Sequence, residues 1–290
     1  MTDLPDANEF GGLAPGVLDR SVIALTSRMP NNWLGLRLAI LLRRISTMRL
    51  EHPAGALDVE RWGMRLRLHP IDNGCEKNLL FTPQMYETTE LAALSREIDA
   101  ARARERGFVF VDIGANVGLF SMFVAAAADK GAKIIAVEPE SGNFERLLFN
   151  IQSNPGVPIR AIRAALSDEP GELVVERLGK DRGGTRARLA NISTERDAQR
   201  VQAQTLFQLL QNERADWVDA VKIDVEGSED RILVPFFRDA PRSLWPKLLV
   251  IEDAGGAWSI DLFSHLTATG YAIAARSKQN VIFRLKSTPS

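Results

Sequence analysis

The chain is nearly free of cysteine and has no long apolar run, and each absence narrows what it can be. A single cysteine, Cys75, among 290 residues closes no intrachain disulfide and builds no thiolate zinc site. That fits a reducing compartment, and the cytoplasm is the expected location. The longest apolar stretch, residues 33–42, is interrupted by Arg37 and is too short to span a bilayer. The first twelve residues carry Asp3, Asp6 and Glu9 and lack the apolar centre of a secretory leader. Neither sign of charge dominates. With 36 basic and 37 acidic residues the net charge is −1, so no global field draws the chain to nucleic acid, and no nucleic-acid partner is expected. The histidines, His52, His69 and His265, share no spacing that makes a metal site or a triad. What remains, 45% hydrophobic and 25% charged residues, is a soluble globular composition with length enough for a buried core.

Local charge is less even than the total. Between Asp19 and Glu51 the chain holds Arg20, Arg28, Arg37, Arg43, Arg44 and Arg49 and no acid. Leu34, Leu38, Leu41, Ile45 and Met48 recur there at spacings of three and four, which predicts one face of a helix. Apolar stripes usually meet core, so the helix is expected to pack on the protein with its arginines solvated. Peripheral contact with an anionic membrane is the second reading. Residues 59–68 and 76–81 read as strand-like, and 87–101 as a helix.

From Phe108 onward, short β-branched runs alternate with helical stripes, the pattern of βαβ units and a parallel sheet. Strands are predicted at 108–113, 133–137, 159–164, 220–224 and 247–251, with 271–275 and 280–285 as a closing antiparallel hairpin. Residues 177–200, rich in Arg, Asp, Gly and Thr, read as a long surface excursion. The expected organisation is an N-terminal helical extension over 1–75 and a catalytic domain over 76–290.

Asp112-Ile-Gly-Ala-Asn-Val-Gly118 stands where the first strand of that domain turns into its first helix, at the edge where open α/β sheets bind ligands. Gly114 permits a tight turn and close approach, and the helix start offers N–H groups to an anion. The dinucleotide pattern G-x-G-x-x-G and the P-loop G-x-x-x-x-G-K-[ST] are both missing. Glu138 ends the second strand, where a carboxylate can accept from both hydroxyls of a ribose. A nucleoside without pyrophosphate, carrying a carboxylate for the helix terminus, describes S-adenosylmethionine.

Asp112-Ile-Gly-Ala-Asn-Val-Gly118, Glu138-Pro139, Asn150 and Lys222-Ile-Asp-Val-Glu-Gly-Ser-Glu229, in that order, resemble the FkbM-type methyltransferases, over roughly 75–252. Thr205-Leu206-Phe207 departs from the Thr-Leu-Asp usual in such families. The resemblance implies a Rossmann-like, seven-stranded class I methyltransferase sheet preceded by an α-rich N-terminal region. It also implies S-adenosylmethionine-dependent O-methylation of a hydroxyl on a sugar, glycan or polyketide-like acceptor. Asp112, Gly114, Asn116 and Gly118 would line the methionine part, Glu138 the ribose, and Phe144 or the Ala165-Leu166-Ser167 segment the adenine region.

An alcohol must lose its proton as it is methylated, and Asp224, Glu226 and Lys222 end a strand on the ligand edge. Asp224 is the leading general base, with Glu252 on the next strand. A divalent cation held by these carboxylates is the alternative way to acidify the alcohol. A nicotinamide oxidoreductase and an inactive cofactor-binding scaffold are the rival functions.

Overall fold

In a computed structural model of the chain, residues 8–49, 55–129, 131–177, 185–189, 199–254 and 256–286 are described. They fall into two compact units. The first takes in the described residues up to Thr88 together with Phe149–Pro155, and the second holds the remainder.

In the first unit, helices α1 (Val17–Thr26) and α2 (Trp33–Arg49) precede a hairpin of strands β1 (Leu57–Arg61) and β2 (Met64–Leu68) and helix α3 (Gly74–Phe81). The hairpin fits the strand-like reading of 59–68 and turns at Trp62-Gly63, whose φ angles are 55° and 77°. Its second strand is tied down by Asn150 and Asn154, whose side-chain oxygens accept from the Arg67 and Arg65 N–H groups at 2.8 Å each.

Two expectations fail here. Residues 76–81 are helical, because Asn73 caps the segment by accepting from the Glu76 N–H at 3.2 Å. The run Leu79-Leu80-Phe81 suits either kind of element, and the cap decides. The α2 stripe, expected to pack on the protein, is instead exposed: Leu34 51%, Leu38 43%, Leu41 59%, Ile45 51% and Met48 80%. The buried side of α2 carries Gly35, Ala39 and Ser46. A Cβ at Gly35 would overlap the carbonyl of Pro30 in the turn just before the helix, and the small-residue face is the buried one while the leucines point outward.

The second unit opens with α4 (Thr88–Arg102), as expected for 87–101, and continues as β3 (Val109–Ile113), α5 (Leu119–Ala127), β4 (Lys133–Val137), α6 (Ser141–Gln152) and β5 (Ile159–Ile162). Next come β6 (Ala165–Leu166), β7 (Gly171–Arg177), β8 (Thr185–Leu189), β9 (Gln199–Gln204) and α7 (Leu206–Asn212). The chain then runs through β10 (Ala220–Ile223), α8 (Glu229–Asp239), β11 (Leu248–Glu252), α9 (Leu262–Thr269), β12 (Tyr271–Arg276) and β13 (Asn280–Leu285).

Seven strands form one sheet in the order β12-β13-β11-β10-β3-β4-β5. β13 runs antiparallel to both neighbours, and the pairs among the other central strands are parallel. β3 is buried along its whole length, as a parallel strand covered on both faces must be. On one face Val111, Ile113, Val221 and Ile223 join Leu209, Leu210, Ile232 and Phe236 in the main core.

A second sheet, β6-β9-β7-β8, corrects the reading of 177–200 as excursion throughout. Residues 185–189 pair with β7 as a strand, while 178–184 and 190–198 lie outside the described residues. Thr205, at the departure from the family pattern, caps α7 in a capping box with Gln208, and Phe207 packs against the main core.

Candidate active site

The site is built where β3, β4, β10 and β11 end. After β3 the chain turns sharply: the N–H groups of Gly114 and Ala115 both donate to the Val137 carbonyl, at 3.0 and 2.9 Å. Gly114, Asn116 and Gly118 all take positive φ, 71°, 53° and 85°, a conformation that favours glycine and tolerates asparagine. A Cβ at Gly114 would overlap the Asp224 carbonyl oxygen, and one at Gly118 would overlap Leu147. Both glycines are therefore required by the protein's own packing.

Asp112 is fully buried beneath this turn. Its Oδ2 accepts from the Ser121 N–H at 3.1 Å and hydroxyl at 2.7 Å, anchoring the first turn of α5. Its Oδ1 is buried with no hydrogen-bond partner among the described residues. Burial raises this carboxyl above the usual range, against the pull of Lys222 and Ser121. Glu138 is also buried; Oε2 accepts from the Asn116 N–H at 2.7 Å and Oε1 from the Glu140 N–H at 2.9 Å. Burial pushes it up to about 7, opposed by those two N–H donors.

Parallel pairing sets Lys222 beside Asp112 in register. Its ammonium donates to the Gly114 carbonyl and to Asp224 Oδ2, each at 3.1 Å, and lies 5.5 Å from the centre of the Phe120 ring. Lys222 and Asp224 thus form an ion pair, with the lysine side chain 8% exposed and the aspartate 36%. Beyond Asp224 the chain loops through Glu226 and Gly227, at φ 57° and 93°. Glu229 holds that loop: Oε1 accepts from the Val225 and Gly227 N–H groups at 3.0 and 3.2 Å, and Oε2 from the Trp258 indole at 2.6 Å.

From the end of β11, Glu252 joins them. Asp224, Glu226 and Glu252 bring one carboxylate oxygen each within 4.8 Å of one another. Burial, then the charges of Asp224 and Glu226, push Glu252 up to about 8.

Alongside opens a cleft of about 550 Å³ including its mouth, with an apolar wall of Val137, Pro139, Ala164, Ala165 and Leu166. Gly114, Asp224 and Arg231 line it as well. Of the predicted cofactor contacts, Gly114 and Leu166 line this cleft, while Asp112, Asn116, Gly118 and Glu138 form the turn and strand end around it. Asn150 is not part of this site.

Sequence reasoning missed Arg231, which donates to both Asp168 oxygens at 2.9 and 3.2 Å. Burial pushes Asp168 upward, but Ser167 and Arg231 hold it below the usual range. The available signal was position, since Asp168 directly follows the Ala165-Leu166-Ser167 segment. It also missed the loop-holding role of Glu229, which local spacing does not reveal.

The strand order, with its single antiparallel strand next to the edge, and a ligand cleft at the carboxyl ends define a Rossmann-like class I methyltransferase fold. The methyltransferase FkbM domain matches residues 112–265, over half of the chain, and the chain belongs to that family.

Among solved structures it is similar to the methyltransferase FkbM from Methylobacillus flagellatus KT, at 15% identity and TM-score 0.40, covering 61% of this chain and 43% of that one. It is similar to monomeric WbdD at 12% identity and TM-score 0.43, covering 68% and 41%. It is also similar to an O-methyltransferase from Bacillus cereus in complex with SAH, at 10% identity and TM-score 0.39, covering 67% and 81%. The chain thus spans less than half the length of the first two. No curated protein matches it.

Proposed function

We propose that the chain is an S-adenosylmethionine-dependent O-methyltransferase acting in the cytoplasm on a hydroxyl of a sugar, glycan or polyketide-like acceptor. The observation that carries this reading is one cleft, at the carboxyl edge of the sheet, shared by the Gly114 turn, an apolar wall and the Asp224 carboxylate.

The residues fit the cofactor. Val137, Pro139 and Leu166 offer an apolar face to an adenine ring. Each Glu138 oxygen accepts one N–H and keeps acceptor capacity for a ribose hydroxyl. Asp112 Oδ1 is a buried acceptor in need of a donor, which an α-ammonium supplies. The start of α5, held by Gly118 and Ser121, offers positive partial charge to a carboxylate.

S-adenosylmethionine supplies an electrophilic methyl group on a sulfonium. The chain's own task is to align the acceptor oxygen with it and to handle the hydroxyl proton. Asp224 would be the base, its carboxylate taking the hydroxyl proton as the acceptor oxygen is methylated. The Lys222 ammonium, 3.1 Å away, donates to the Asp224 carboxylate and orients it. Glu252, pushed up to about 8, holds its own proton at neutral pH and is the poorer base there. Glu226 would complete the acidic rim on the acceptor side.

The test is methyl incorporation from labelled S-adenosylmethionine into glycans and lipid-linked sugars, with and without a chelator, beside calorimetric titration of the cofactor. Cofactor binding and chelator-resistant incorporation support the reading. Absence of cofactor binding sinks it, and incorporation abolished by chelator and restored by Mg²⁺ replaces Asp224 as base with a metal ion.

A further inference from the structure

The outward face of α2 has no role in the site described. Leu34, Leu38, Leu41, Ile45 and Met48 fall within an arc of roughly 80° at 100° per residue, and all five are exposed. Trp33, at the helix start, is 69% exposed with the Arg37 guanidinium 5.3 Å from its ring centre. α1 adds exposed Val17, Leu18 and Leu25. So much apolar surface on one short helical pair is uncommon in a protein surrounded by water alone.

Charge narrows what covers it. Arg20, Arg37 and Arg44 are exposed on the same two helices, and Arg28 is exposed in the turn between them. On α2, Arg37 and Arg44 border one edge of the apolar arc, at about 60° and 80° from its centre. The sole acid of the pair, Asp19, is engaged by the hydroxyl of Ser46, which is buried on the opposite, packed side of α2. A second copy of this surface would set arginines against arginines. A bilayer with anionic headgroups satisfies both features, taking the leucines to the level of the acyl boundary and the guanidiniums among the phosphates.

We infer that α1 and α2 form a peripheral membrane-binding surface specific for anionic lipid. The helices lie in the plane of the bilayer and do not cross it; among the described residues no helix is long and apolar enough to do so.

The test is co-sedimentation of the full chain with vesicles of phosphatidylcholine alone and with added phosphatidylglycerol. Binding is expected with phosphatidylglycerol at low salt, and weakening near 1 M salt, where the Debye length falls to about 3 Å. Leu41→Glu with Ile45→Glu should lower partitioning tenfold or more, and Arg37→Gln with Arg44→Gln by roughly fivefold per arginine. These positions are exposed, and unchanged thermal melts establish that the variants fold.

Equal binding to both vesicle types, no binding at low salt, or variants that bind like the parent would overturn the inference. So would sedimentation equilibrium showing a dimer that the Leu41→Glu, Ile45→Glu variant dissociates without any vesicle binding, since the occupant would then be a second copy.

Discussion

Lys222 and Gly114, separated by 108 positions in sequence, are joined by a hydrogen bond of 3.1 Å from the lysine ammonium to the glycine carbonyl. The same ammonium reaches Asp224 at 3.1 Å, so one side chain links the glycine turn to the candidate base. Lys222→Met retains the apolar stem and removes the link. It should cost about 1–3 kcal/mol, the scale for a buried charged hydrogen-bond partner left unmet, read as a lower urea midpoint with unchanged slope. An unchanged midpoint would show that the lysine is no strut.

Asp224→Asn retains shape and removes the base. The chemical rate in single turnover should fall by roughly 10²–10⁴-fold with cofactor affinity nearly intact. A parental rate in this variant would move the search to Glu226 or Glu252.

Glu138→Ala removes acceptors for the Asn116 and Glu140 N–H groups as well as for a ribose. Cofactor affinity should drop by about 2–3 kcal/mol, accompanied by a lower melting temperature. Calorimetry giving parental affinity would take Glu138 out of the ribose site.

Gly114→Ala brings a methyl group onto the Asp224 carbonyl oxygen, at a φ of 71° that L residues seldom adopt. The first loss should be folding, with destabilisation of about 3 kcal/mol or more. Of the two roles the sequence gives Gly114, a tight turn and close ligand approach, the first then dominates. A soluble variant with a parental melt and weakened cofactor binding would reverse that order.

Glu252 binds its proton more tightly folded than unfolded, because burial and then Asp224 and Glu226 push it up to about 8 from an ordinary value of 4.5. Its contribution to stability is therefore complete below about pH 4.5 and lost as pH rises through about 8. Glu252→Gln should flatten the fall in urea midpoint between pH 5.5 and 8.5. Part of the slope should remain, since Glu138, pushed up to about 7, acts in the same direction. Identical slopes in parent and variant would mean that Glu252 is already ionised in the folded protein.

Much of the fold was legible along the chain. β3, β4 and α5 follow from β-branched runs, a glycine turn and apolar spacing, all set within about a dozen residues by backbone sterics and side-chain period. The positions of Asp112, Glu138 and Asp224 at strand ends were legible for the same reason.

Tertiary structure decided what local patterns leave open. Glu252 meets Asp224 because β10 and β11 pair parallel in register, and that meeting adds to burial in raising its pKa. Residues 185–189 become strand because β7 offers them an edge. On α2, periodicity marks a leucine face but carries no information on which face a neighbour covers. In the folded chain the face with small residues, Gly35, Ala39 and Ser46, is the buried one and the leucines lie outside, because packing depends on distances between elements that no single helix encodes.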